Sequence, residues 1–135
     1  MESRAHRAFA LLILAQAAHS IEEYVFRLFD VFPPARWVST LFTSNAALGF
    51  ALANTAIVLF AVWCYVARVR PSHRSAYGYA WFWVCLEFAN GIVHMILAGL
   101  EGGYIPGVAT APLLLAAACY LGVTLVGDSR RERCD

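Results

Sequence analysis

Four long apolar runs alternate with short polar connections along the chain, at 8–29, 44–67, 76–100 and 104–126. Each run reaches the roughly 20 residues that a helix needs to cross a bilayer, so the pattern predicts four transmembrane helices. The connections carry turn and breaker residues: Asp30, Pro33 and Pro34 in the first, Pro71 in the second, and Glu101-Gly102-Gly103 as the third. Gly49, Gly91, Gly99 and Gly122, with many Ala residues, let such helices approach closely. The expected fold is therefore all-α: one membrane-embedded four-helix bundle over residues 1–135.

Arginines divide the connections into two kinds. Arg4 and Arg7 lie at the N-terminus, Arg68, Arg70 and Arg74 in the second connection, and Arg130, Arg131 and Arg133 in the tail. The first connection holds Arg36 alone, and the third holds none. The positive-inside rule then puts both termini in the cytoplasm, which suits an even number of spans.

Two of the runs contain groups that a lipid-facing helix does not tolerate. His19-Ser20-Ile21-Glu22-Glu23 interrupts the first, and Glu87, Asn90 and His94 interrupt the third. At about 100° per residue, Glu22 falls about 60° to one side of His19 and Glu23 about 40° to the other. On the third run, Asn90 lies about 60° from Glu87 and His94 about 20°. Ionisable side chains at membrane depth are costly and turn towards one another or towards a cavity, so the two stripes are expected to face each other. Arg27 follows Glu23 at i+4 and is a candidate partner for it. Asn54, midway along the second run, is either interhelical glue or a donor to a site carboxylate.

Three carboxylates and one Arg leave an excess of negative charge in a water-poor interior. A divalent cation removes it, with His19, Glu22, Glu23, Glu87 and His94 as ligands and Asn90, Asn54 and Arg27 behind them. Mixed nitrogen and oxygen donors suit Zn, Fe or Mn. Alternatively, one or two carboxyls keep their protons.

Composition narrows the class. The chain has 135 residues, 61% hydrophobic and 14% charged, against roughly 25% charged in soluble domains. The lipid bilayer is thus an expected partner. A net charge of +1 gives no basic surface for nucleic acid. Cys64, Cys85, Cys119 and Cys134 form no metal-type spacing. The first run continues through His19, too long for the core of a cleavable signal peptide. All ten basic residues are Arg, a coding preference that points to a GC-rich bacterial genome, and the expected location is the bacterial inner membrane.

His19-Ser20-Ile21-Glu22-Glu23 resembles the signature of the HXXEE family of small bacterial integral membrane proteins. Asn90-Gly91-Ile92-Val93-His94 resembles that family's later Asn-x-x-x-His element, and Tyr104-Ile105-Pro106-Gly107 its Tyr-x-Pro-Gly stretch. The resemblance covers positions 19 to about 112. It implies about four transmembrane helices and a functional set of His19, Glu22, Glu23, Asn90 and His94, but no reaction. A looser likeness, of architecture and site only, is to membrane sterol isomerases of the emopamil-binding type.

Three functions fit these residues. The first is a divalent-metal-dependent enzyme acting on a lipid-soluble small molecule, with Glu22, Glu23 and Glu87 as its catalytic carboxyls. The second is a metal-free acid/base isomerase or cyclase of an isoprenoid-like substrate. The third is a proton or metal-ion carrier, which at this size would have to work as a homo-oligomer.

Overall fold

The computed structural model describes residues 3–131. Arg133 and Cys134 lie outside the described residues. Among the described residues the chain is all helical: α1 (Ser3–Val25), α2 (Leu28–Val31), α3 (Pro33–Thr40), α4 (Ala46–Cys64), α5 (Ala76–Glu101) and α6 (Ala111–Arg131). One π-helical turn, Tyr65–Val69, prolongs α4.

Local chemistry explains the boundaries. Asn45 caps α4, its side chain accepting from the Leu48 amide at 3.0 Å. Gly102 closes α5 in the left-handed conformation, φ 66°. Pro33 opens α3, where its missing N–H costs nothing. Arg27 also adopts the left-handed conformation, φ 59°, and breaks the first apolar run after Val25. The run expected to continue to position 29 therefore ends earlier. The first connection is not a plain loop, because α2 and α3 fill it. The last run also starts later than expected: 104–110 is a chain of turns, and α6 begins at Ala111.

Among the described residues, three helices are long and apolar enough to cross a membrane: Ala46–Val69, Ala76–Glu101 and Ala111–Arg130. α1 has the length, with 23 residues, but its composition is too polar. Its polar stripe is turned inward, since Gln16, His19, Ser20, Glu22 and Glu23 are buried. Its outward residues Leu11, Leu14 and Ile21 are apolar and more than half exposed. Long apolar helices with an apolar exterior suit a lipid bilayer.

α6 packs against both α1 and α5, α3 folds back on α4, and α4 touches α1 more than α5. A gap is left between α4 and α5. The larger apolar core gathers Phe9 and Leu12 of α1, Cys64 at the end of α4, Trp83 of α5, and Leu121 and Leu125 of α6. The N-terminal end of α1 thus meets the N-terminal half of α5 and the C-terminal ends of α4 and α6. A smaller core of Leu28, Phe29, Ala35 and Phe50 closes the other end. The polar residues of α1 and α5 lie between the two cores.

Candidate functional site

His19 and Glu23 stand one turn apart on α1, and His94 projects from α5. All three are buried, and one potential ligand atom from each lies within 4.8 Å of the others. Glu23 is the hub. Its Oε1 is 3.1 Å from His94 Nε2 and 3.5 Å from His19 Nε2. Its Oε2 accepts from Asn54 Nδ2 of α4 at 3.4 Å. The imidazoles meet edge to face, with centroids 4.7 Å apart and planes at 89°. The i+4 spacing puts His19 and Glu23 on a common face of α1, and the meeting of α1 and α5 residues follows from inward burial of both stripes.

Glu22 turns to the other side. Its Oε1 accepts from the Tyr104 hydroxyl at 2.6 Å and the Ala109 amide at 3.1 Å. Its Oε2 accepts from the Thr110 amide at 2.8 Å and the Thr110 hydroxyl. The carboxylate thus sits ahead of the α6 N-terminus, where free amides and the helix dipole favour an anion. Burial, then the hydrogen bond and charge of Glu22, push the Tyr104 phenol up to about 12. Tyr104 therefore remains a donor at neutral pH.

The 104–110 segment also closes the site. Gly107 has φ +99°, and a Cβ there would lie 2.6 Å from His94 Nδ1 and 2.9 Å from His19 Cε1. Only glycine lets the backbone lie directly on both rings. Thr110 continues the contact, with its Oγ1 2.8 Å from His19 Nδ1.

Glu87 and Asn90 of α5 border a cavity of about 390 Å³ between α4 and α5. Glu23, Asn54 and His94 reach the same cavity, and the rest of its wall is largely apolar, including Phe50, Ala53, Ile57, Leu86 and Val93. Glu87 is buried, and its Oε2 has no hydrogen-bond partner among the described residues. Ile57, Leu86 and Val93 in this wall are 37–43% exposed, so the cavity is open rather than sealed.

Three expectations about the grouping differ from this geometry. Glu22 does not join the cluster, because both its oxygens are engaged by the 104–110 segment. Arg27 does not pair with Glu23. The left-handed turn carries it out of the α1 register, and it forms an exposed ion pair with Asp30 at 2.5 Å. Glu87 lies on the cavity wall rather than in the three-residue group. Sequence reasoning missed Thr110 as a contact of His19. Its one visible signal is a hydroxyl at the head of the last apolar run, just past the Tyr-x-Pro-Gly stretch.

The profile of the family described as "protein of unknown function with HXXEE motif" matches residues 10–121. The chain belongs to the HXXEE family. No curated protein and no solved structure matches it. In this HXXEE protein the motif divides its labour. His19 and Glu23 face His94, while Glu22 faces the segment that leads into α6.

Chemically, the group offers two imidazole nitrogens and a carboxylate oxygen. A tetrahedral ion with ligand bonds of about 2.0–2.2 Å sets neighbouring donors about 3.3–3.6 Å apart. The 3.5 Å and 3.1 Å separations around Glu23 Oε1 are close to that edge length.

Proposed function

We propose that this HXXEE protein is a membrane enzyme that holds a divalent cation, Zn, Fe or Mn, between His19, Glu23 and His94 and acts on a lipid-soluble substrate. One observation carries the reading. Two imidazoles and a carboxylate converge in a buried site that also reaches an apolar cavity. Three protein ligands leave a coordination position open, the arrangement that catalytic metal sites share. The cation would polarise a substrate oxygen or activate water. Glu87, on the cavity wall, takes the role of general acid or base, and Asn54 and Asn90 orient the carboxyls.

The cavity fits the substrate class. It is mostly apolar with a polar end, and it opens between helices whose outer surfaces are apolar. A substrate dissolved in the membrane would enter sideways. In this reading α1 is the fourth span, its polar stripe covered by α4, α5 and α6, and the bundle sits in a bacterial inner membrane. The Arg-rich ends mark the cytoplasmic face, and the site lies in the opposite half.

The unpartnered Glu87 Oε2 favours a second reading, metal-free acid/base catalysis on an isoprenoid-like substrate. A carrier is disfavoured by the continuous apolar core of Phe9, Leu12, Trp83, Leu121 and Leu125 on the side of the termini.

Metal analysis of the purified protein separates these readings. The metal reading predicts about one Zn, Fe or Mn per chain and a lower unfolding temperature after chelation. No stoichiometric metal and no effect of a chelator would contradict it and favour the acid/base reading.

A further inference from the structure

We infer that Thr110, anchored by Glu22, is a positioning residue that fixes His19 in its Nδ1–H form and leaves His19 Nε2 as a bare acceptor aimed at the His19–Glu23–His94 group. The inference rests on the metal reading above and adds the device that prepares one ligand.

The hydrogen atoms decide it. Glu22 accepts from Tyr104 and Ala109 at one oxygen and from the Thr110 amide at the other. A carboxylate receiving backbone and phenol donors on both oxygens has only acceptor capacity to offer Thr110. The Thr110 hydroxyl has one proton. It lies 2.5 Å from Glu22 Oε2 and 3.3 Å from the Gly107 carbonyl, so the short, charge-assisted contact takes it. His19 Nδ1, at 2.8 Å, then faces an oxygen whose proton is already committed. It must donate, and a neutral imidazole that donates from Nδ1 carries its lone pair on Nε2.

The far side of the ring agrees. His19 is fully buried, and its Nε2 has no hydrogen-bond partner among the described residues. It stands 3.5 Å from Glu23 Oε1, another acceptor. Two buried acceptors facing each other are unfavourable unless a cation lies between them. A metal-ligating imidazole that donates its other N–H to a carboxylate or to a group backed by one is held in orientation and made more basic. The first Glu of the motif thus acts on the site through Thr110 and is not itself a ligand.

The test uses full-length protein in lipid bilayers with ¹⁵N-labelled histidine, wild type and the variants Thr110→Val and Thr110→Ser. The His19 signals are assigned by their loss in His19→Gln. Nitrogen shifts of the metal-free protein report which ring atom carries the proton, and competition with a chelating dye reports the affinity for zinc. The wild type should show His19 protonated at Nδ1. Thr110→Val should lose that preference and bind zinc about 10–100-fold more weakly, and Thr110→Ser should restore both. A His19 protonated at Nε2 in the wild type overturns the inference. So does zinc bound equally well by the wild type and Thr110→Val, which removes the role of Thr110 and leaves the metal reading standing. A wild type that binds no zinc removes the metal reading itself, and with it any role of Thr110 towards a metal.

Discussion

Glu22 and Glu23 are neighbours in the chain and opposites in their surroundings. Glu22 faces a closed side, where α1 meets α6 and every contact is a hydrogen bond from Tyr104, Ala109 or Thr110. Glu23 faces an open side, where α4 and α5 separate around a cavity and its partners are two imidazoles and Asn54. The closed side satisfies its carboxylate with protein donors alone. The open side brings carboxyls of Glu23 and Glu87 to one cavity, and no Arg is among the described residues that line it. Buried carboxyls gather where space for a ligand exists. The contrast separates a residue that holds the site in place from residues free to bind something.

The contrast can be broken most severely on the open side. Glu23→Gln and His94→Ala should each lower metal affinity by more than the roughly 10–100-fold that loss of an outer partner costs. Isothermal titration with zinc measures this. If either variant binds like the wild type, the open side is not the binding side.

Gly107 links the two sides. Gly107→Ala forces a Cβ into the His94 ring from a backbone at φ +99°. Overpacking and backbone strain each cost about 1–3 kcal/mol, so the variant should melt well below the wild type and lose its metal. Unaltered unfolding would show that 104–110 does not bear on the imidazoles.

Glu22→Gln sharpens the comparison. It places an amide N–H₂ among buried donors and should cost about 1–3 kcal/mol in denaturant unfolding, with a smaller loss of metal affinity than Glu23→Gln. The reverse order of metal affinities would exchange the roles of the two glutamates.

Tyr104 supplies a pH arm on the closed side. Its folded value is raised to about 12, above the ordinary value near 10. Its stabilising contribution is therefore fully present below about pH 10 and is lost as the pH rises towards 12. Tyr104→Phe should remove that slope from stability measured between these limits. Arg27→Ala should do least. Its ion pair with Asp30 is exposed, so a change under about 1 kcal/mol and unchanged metal binding are expected.

The long helices were legible because hydrophobic runs of bilayer length state themselves. That His19 and Glu23 share a face was legible because i+4 fixes it, though the same reasoning kept Glu22 beside them, and the burial of Glu87 and His94 followed from their cost in lipid. The position of Glu22 was not legible, since a residue 60° from His19 can turn to either of two neighbouring helices. Which one depends on α6 lying against α1. Arg27 was assigned to Glu23 by helical spacing, and that spacing fails once a non-glycine residue enters the left-handed region. The contacts of Gly107 and Thr110 with the imidazoles were hidden for the same reason. A segment of turns carries no periodicity to show which side chains it brings to a distant helix.

On the proposed reading, His19, Glu23 and His94 share a cation. X-ray absorption at the metal edge of protein purified from membranes tests it most directly. Two imidazole nitrogens at about 2.0–2.1 Å and at least one oxygen are expected for zinc, with one imidazole lost in His94→Ala. An edge without bound metal, or an all-oxygen shell that His94→Ala leaves unchanged, would contradict it.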